Sequence, residues 1–519
     1  MGKKEKLILV LLSTLLLIPG WLSLSGLPLL GALVPLLLIS RSTPQGRSGW
    51  WSMFWWALLC FVLWNVLTVW WIWFATPVGP IAATVVCSSF SLFAFMCYHT
   101  ISKRASKALA YTALISIWIA MEYWHTFHSL SWPWLLLGNG FSNDIWAVQW
   151  YEYTGIFGGS LWVLATNILL FEAITSKRRG VWITSIAVAV VPLLLSLFIY
   201  FSYKDESHGT VKVAVVQPNI HFLEQRPSDS EQAANLLELM AQSPEDVDFI
   251  VTPEVSTPGL LNMSALLNMP VVRSIKELLR EHYPQSAAVV GASTLKYYTS
   301  PYESETARNR GDVYYDIFNS AIYIPSQGAM DYHHKAKLVV GTESIPLPWL
   351  LGLLDDFVID LGGATGQMGR GSQRRVFSHD KGVIGAAICY EALYGDYCGE
   401  FVKGGAEALF VISNDCWWGD TPGYRHLFTL SALRAVEHRR AIARSANTGI
   451  SGFITARGDA TFRSKWDERG VYTGDVALNS RTTFYTIYGD YIARVAVFIS
   501  LLVVLYYIVV RVKQKNNLI

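Results

Sequence analysis

Residues 382–391 read Gly-Val-Ile-Gly-Ala-Ala-Ile-Cys-Tyr-Glu, an uncharged apolar run of strand length that ends on Cys389, Tyr390 and Glu391. A short run of this kind, bounded by turn residues, reads as a buried strand. Similar runs occur at 211–217, 248–253, 287–292, 318–324 and 408–413. Helical patterns at 229–242, 271–281 and 421–442 separate several of them. Strands alternating with helices imply an α/β domain whose sheets are covered on their faces.

Three strand ends, or the loops after them, carry reactive side chains: Thr252-Pro253-Glu254, His334-Lys335-Ala336-Lys337 and Ile388-Cys389-Tyr390-Glu391. Each alone says little. A Glu after a strand is mostly a solvated surface residue, a Lys pair a solvated face, and a Cys in an apolar strand part of the core. Acid, lysine and cysteine at three separate strand ends are a more specific combination, because a thiol nucleophile needs a base and its oxyanion needs a cation.

Outward from this region the composition changes. Of 519 residues, 52% are hydrophobic and only 15% charged, and the formal net charge is +2. So small a charged fraction points to a membrane, and a near-zero balance offers no basic field for nucleic acid. Apolar runs at 50–74, 81–101, 108–122, 157–175, 181–202 and 492–510 are each a candidate span. The region 7–40 would make about 50 Å as one helix. The turn signals at Pro19, Gly20 and Ser23 to Gly26 divide it into two short spans or a re-entrant hairpin.

Basic residues fall at Lys3, Lys4 and Lys6; Arg41 and Arg47; Lys103, Arg104 and Lys107; Lys177, Arg178 and Arg179; and Arg511, Lys513 and Lys515. Every second connection is therefore basic, whereas 23–26, 75–80 and 123–156 hold no Lys or Arg. By the excess of Lys and Arg on the cytoplasmic side, about eight transmembrane helices with both termini in the cytoplasm satisfy every loop. The expected division is a transmembrane domain at 1–203, an extracytoplasmic catalytic domain at 204–490, and a C-terminal transmembrane helix with a cytoplasmic tail at 491–519. A cleaved signal peptide over 1–25 is the competing reading. It lacks a small-residue cleavage site, and further spans follow at once. The aromatic loop 123–156, with Trp124, Trp132, Trp134, Trp146, Trp150 and Tyr151, reads as an interfacial belt.

The six cysteines form no metal-ligand spacing. They leave a Cys398 to Cys416 bridge open in an oxidising compartment. Gly366, Gly369 and Gly371 lack the Lys-Ser/Thr ending of a phosphate loop, so a plain flexible loop is the expectation.

Taken together, Pro253-Glu254, His333-His334-Lys335-Ala336-Lys337-Leu338 and Cys389-Tyr390-Glu391 resemble the nitrilase, or carbon–nitrogen hydrolase, superfamily. Asn319-Ser320, the segment Ser413 to Gly419, Arg434 with Glu437 and Arg440, and Asn447-Thr448-Gly449 extend the likeness over 211 to 480. With the membrane half, including Trp132-Pro133-Trp134-Leu135 and Gly138, the whole layout resembles the apolipoprotein N-acyltransferase family. Glu343 followed by Ile345-Pro346 adds to it.

The resemblance implies an αββα sandwich inserted before the last span. It also implies a bacterial inner-membrane location with the catalytic domain periplasmic, no cofactor, and a monomer. The implied catalytic residues are Glu254, Lys335 and Cys389. Glu343, Tyr390, Glu391, Asn319, Asn414 and Trp417 are implied to support them. For Glu343 and Glu391 the residues alone leave a plain salt-bridge role equally open, and His333 and His334 read as strand-surface residues without a role. The implied reaction moves an acyl chain from a phospholipid donor, through a Cys389 thioester, to the α-amino group of a diacylglyceryl-cysteine apolipoprotein.

Two departures stand out: Val340-Gly341-Thr342 where the family has Pro-Phe-Gly, and Gln225-Arg226 where many relatives carry a basic–aromatic pair. Two rival readings remain. One is a tethered amide hydrolase with the same triad, for which a single anchor would suffice. The other is a sensor or transporter, which gives the triad no reason to coincide.

Overall fold

The apolar N-terminal runs fold as helices in a computed structural model that describes residues 1–222, 224, 227–344 and 367–515. Gln225-Arg226, Ile345-Pro346 and Gly366 lie outside the described residues. One unit comprises Met1–Trp73, Pro77–Ser202 and Tyr488–Ile519. Five of its helices are long and apolar enough to cross a membrane: Arg47–Phe74, Gly79–Ser102, Tyr151–Ser176, Arg179–Ser202 and Tyr491–Lys513. The other three expected segments are helical but shorter or interrupted. They are Lys3–Leu17, Leu27–Ser42 and the 18-residue Lys107–Trp124.

Interruptions in an apolar bundle leave backbone groups that side chains must satisfy. Asn167 does this for the break between Leu27–Gly31 and Val34–Ser42. Its Oδ1 accepts from Leu33 N at 2.7 Å and Val34 N at 3.2 Å, and its Nδ2 donates to Leu29 O at 2.7 Å. The aromatic loop differs from the belt expectation. Trp134, Trp150 and Tyr151 are buried within this unit, Trp134 stacking on Trp132 at 5.4 Å, while Trp124 remains 46% exposed. Its indoles are mostly packing elements.

The second unit comprises Phe74–Thr76 and Tyr203–Ile487 and is built on two sheets. The first contains β1 (Gly209–Gln217), β2 (Phe249–Val251), β3 (Leu260–Asn262), β4 (Ala287–Tyr298), β5 (Arg308–Arg310), β6 (Val313–Pro325), β7 (Asp331–His334) and β14 (Gly470–Leu478). Its order is β14-β1-β2-β4-β6-β5, with β3 on β4 and β7 on β6. The second contains β8 (Val376–His379), β9 (Gly382–Ile388), β10 (Ala408–Ser413), β11 (Ile442–Ala446), β12 (Gly452–Ile454) and β13 (Ala460–Arg463), ordered β13-β12-β11-β10-β9-β8. Within them β1, β2 and β4 run parallel, as do β9, β10 and β11.

The two sheets face each other. Phe249 meets Phe410 edge-on at 5.2 Å, and Tyr323 stacks on Phe377 at 5.3 Å. Helices cover the outer faces. Leu236 and Leu239 of Asp229–Met240, with Val272 and Ile275 of Pro270–His282, pack on Ala214, Ile250, Val290 and Ile322. Against the second sheet, a Cβ at Gly385 of β9 would lie 2.8 Å from Phe401 Cβ, so glycine there lets the helix Gly395–Lys403 approach. The result is the expected α-β-β-α layering. Both faces of the central strands are buried, which explains why β9 and β10 read as continuous apolar runs and why β1 is uncharged after Lys212.

Candidate active site

The parallel strands deliver their C-terminal ends to one place, as ligand sites in α/β sheets commonly require. Glu254 follows β2, Cys389 follows β9, and Asn414 follows β10. The Glu254 loop is held by Ser256 N donating to Gly291 O at 2.9 Å and by Thr252 Oγ1 paired with Ser256 Oγ at 2.7 Å. A Cβ at Gly291 would lie 2.1 Å from Pro253 O, so the loop lies directly on β4. Val255 sits at φ 53° and Cys389 at φ 50°. A β-branched residue in the left-handed region is a true outlier, and such strain collects at functional sites. At Cys389 it forms the sharp turn from β9 into the 3₁₀ segment Cys389–Leu393.

Glu254 is 6% exposed, and its two oxygens are occupied unequally. Oε1 accepts from Asn319 Nδ2 at 2.6 Å and Lys335 Nζ at 2.8 Å, whereas Oε2 accepts the backbone N–H of Asn414 at 2.9 Å. Lys335, 1% exposed, also donates to Glu343 Oε1 at 2.9 Å, and its own N–H donates to Asn319 O at 2.8 Å. Glu343 is fixed in turn by Val339 N at 2.8 Å. Burial disfavours the Lys335 ammonium, but the Glu254 and Glu343 carboxylates outweigh it and hold its pKa well above the usual lysine range. Lys335 is therefore a permanent cation. The Cys389 thiol shows the opposite balance. Burial, reinforced by the Glu254 charge, pushes it far above an ordinary thiol despite the opposing Lys335. It rests protonated.

Glu391 acts on the lysine and cysteine segments through their backbone N–H groups. It is a fully buried carboxylate that accepts four donors. Oε1 takes Ala336 N at 2.7 Å and the Tyr397 hydroxyl; Oε2 takes Ile388 N at 2.9 Å and His333 Nε2 at 3.2 Å. Ala336 follows Lys335 and Ile388 precedes Cys389, so one carboxylate clamps the lysine and cysteine segments together. Burial opposes its charge, but His333 and the two amides hold its pKa below the usual glutamate range.

His333 is thus a buried partner, 1% exposed, and not the surface residue expected. His334 stacks on Phe318 at 4.1 Å and bonds Ser320 Oγ at 2.7 Å. Both side chains are structural because β7 lies against β6 with the Gly369–Gly371 segment over it. Glu391→Gln would turn an amide NH₂ toward two of those donors. Unmade buried hydrogen bonds cost about 1–3 kcal/mol each, so we expect a loss of about 2–4 kcal/mol together with a lower kcat. The thermal unfolding midpoint of the full chain in detergent checks this, and an unchanged midpoint would contradict the clamp.

Asn414 Oδ1 accepts from Asn447 Nδ2 at 3.1 Å, anchoring the loop after β10. Tyr390 is buried and meets Tyr394 edge-on at 5.5 Å. Trp417, 38% exposed, stands apart from this network. Two partners escaped the sequence reading. Tyr397 binds Glu391, and the Arg444 guanidinium holds Asp415 at 3.0 Å, with Ser413 Oγ on the same carboxylate at 2.6 Å. Charged Arg444 in the strand run 442–446 was the available signal, since a buried charge needs a partner. Cys398 and Cys416 are free thiols.

Residues 212–485 match the carbon–nitrogen hydrolase family model, and residues 13–169 match the apolipoprotein N-acyltransferase N-terminal domain. The chain is 30% identical over 516 residues to an apolipoprotein N-acyltransferase of Chlorobaculum tepidum, covering 95% of this chain and 94% of that one. It is 28% identical over 390 residues to one of Geobacter metallireducens, covering 73% and 70%.

Proposed function

Because the chain belongs to the apolipoprotein N-acyltransferase family, we propose that it transfers a fatty acyl chain from a membrane phospholipid, through a Cys389 thioester, to the α-amino group of a diacylglyceryl-cysteine apolipoprotein. It is an integral membrane enzyme of lipoprotein maturation. The observation that carries the finer reading is the Lys335 cation fixed 2.8 Å from Glu254 Oε1, the charges of both acting on the thiol that follows β9.

The raised thiol needs a base at the moment of attack. A carboxylate oxygen offers two lone pairs. Both lone pairs of Glu254 Oε1 are taken by Lys335 and Asn319, whereas Oε2 has one partner, so Oε2 receives the proton. Sγ attacks the ester carbonyl carbon, and the π pair moves to oxygen. The ammonium of Lys335 has three N–H groups. With Glu254 and Glu343 engaged, one remains for the oxyanion beside a backbone N–H next to Cys389. Collapse breaks the ester C–O bond, and the leaving glycerol oxygen takes the proton from Glu254, giving lysophospholipid and a thioester. The amine then attacks, Glu254 takes its proton, the C–S bond breaks, and the thiolate recovers that proton. The sequence needs no cofactor and runs in one chain.

Incubation with phosphatidylglycerol and a diacylglyceryl-cysteine peptide should give lysophospholipid and N-acyl peptide in equal amounts. Lysophospholipid with free fatty acid and no acyl peptide would make the chain a lipid hydrolase. An unreactive lipid with cleavage of small amides would favour the tethered hydrolase.

The location we propose is the bacterial inner membrane with the catalytic unit periplasmic, supported by the alternation of basic loops. A reporter active only outside the cytoplasm should be active when fused at residue 300 and silent when fused after Arg179. The reverse pattern would overturn the orientation.

A further inference from the structure

The loop after β10 carries the Asn414 N–H that Glu254 Oε2 accepts at 2.9 Å. It is held from two sides. On one, Asn447 N donates to Ser413 O and Asn447 Nδ2 to Asn414 Oδ1, each at 3.1 Å. On the other stands an ion pair: Ser413 Oγ donates to Asp415 Oδ1 at 2.6 Å, and Arg444 Nη2 reaches both Asp415 oxygens, at 3.1 and 3.0 Å. Arg444 lies on β11 in register with Val411 of β10, and its Nε donates to Ile450 O at 3.2 Å. One guanidinium therefore ties the loop after β10 to the turn after β11. Gly449 of that turn lies against the same carboxylate, since a Cβ there would fall 2.0 Å from Asp415 Oδ2.

Ser413, Asp415 and Arg444 are fully buried. A buried ion pair is a weak source of stability, because both charges give up their water. Here the carboxylate also works against the nucleophile, since it adds to the burial and the Glu254 charge that push the Cys389 thiol up. Asp415 is thus not placed to activate the sulfur through its charge. Its contacts lead instead through Ser413 and the loop backbone to the Asn414 N–H, and from there to the base.

On the covalent reading given above, we propose that Asp415 and Arg444 are positioning residues for the base: as a pair they hold the loop after β10 so that the Asn414 N–H keeps Glu254 Oε2 where it takes up the proton. Glu254 serves both half-reactions, so the pair acts on both. Asp415→Asn preserves the size of the side chain and breaks this arrangement. Because Arg444 Nη2 contacts both carboxylate oxygens, an amide NH₂ faces the guanidinium whichever way the side chain is turned, donor against donor. Arg444→Lys is the milder change. It leaves a cation for Asp415 but lacks the planar fork that also reaches Ile450 O.

The test uses the full chain in detergent and follows two rates at Cys389: acyl-enzyme formation from phosphatidylglycerol, and alkylation by iodoacetamide, which uses the thiolate without a positioned base. In Asp415→Asn the maximal rate of acylation should fall by about ten- to a hundredfold, as for a misplacement of about 1 Å. The half-saturating lipid concentration should stay as in wild type, and amine-driven discharge should slow in parallel. Alkylation should not slow, because the carboxylate that opposes the thiolate is gone. Arg444→Lys should show the same separation at a smaller size, about threefold in acylation, since a displacement of a fraction of 1 Å costs less. If Asp415→Asn does not fold, Arg444→Lys decides by the same two rates. Acylation at the wild-type maximal rate in the folded variants, or acylation and alkylation slowed alike, would overturn the proposal and leave the pair as a structural brace. A wild type that is alkylated at Cys389 but forms no acyl-enzyme from any phospholipid would instead overturn the covalent reading on which the proposal rests.

Discussion

Replacing Cys389 by Ser should abolish acyl transfer while leaving the fold intact. The two side chains differ by one atom, and Cys389 fills a nearly closed position at 6% exposure, so packing changes little. The chemistry changes greatly. An alcohol is far less acidic than a thiol, and Glu254 is a carboxylate, too weak a base to ionise it. Loss of a nucleophile elsewhere costs on the order of a thousandfold or more, and we expect a fall of at least about that size in N-acyl peptide formation. Unchanged unfolding with this loss identifies the nucleophile. Retained turnover would assign the chemistry to another group.

Lys335→Met should be the second largest effect, and it acts in two ways. It removes the oxyanion donor proposed above, a loss worth roughly a hundredfold or more. It also leaves Glu254 and Glu343, with side chains only 7% and 14% exposed, facing each other without their shared cation. Breaking a buried ion pair by removing one partner costs about 3–5 kcal/mol. Without Lys335, Glu254 also loses one of the two partners that fix its Oε1. Both acyl-enzyme formation and amine-dependent discharge should therefore slow by at least about a hundredfold. Near-normal rates in either half would show that Lys335 is structural.

How much of this was legible from the residues depended on what each element is made of. The strands β2, β9 and β10 announced themselves because their two faces are both covered, leaving uncharged runs, two of them followed by Glu254 and Cys389. The short strand β7 did not, since Asp331-Tyr332-His333-His334 carries no apolar period and is held by pairing with β6 and burial of His333. Glu254, Lys335 and Cys389 stood out at three separate run ends, and the structure pairs Glu254 with Lys335. The job of Glu391 was not, because a carboxylate that accepts backbone N–H groups leaves no mark on its partners' identities: Ala336 and Ile388 could be almost any residue. The same limit applies in the helical unit, where Asn167 repairs a break more than a hundred residues away in sequence. The glycines at 369 and 371 were visible but misread, since their reason is close approach to β6 and β7.

The most direct test of the covalent account is the intact mass of the wild-type chain after incubation with a single defined phospholipid and no acceptor. The prediction is a mass increase of one acyl group, absent in Cys389→Ser and in Glu254→Gln. A diacylglyceryl peptide with a free α-amine should discharge it, and one whose amine is blocked should not, as ping-pong transfer requires. Product formation without any such adduct under any phospholipid would contradict the thioester mechanism.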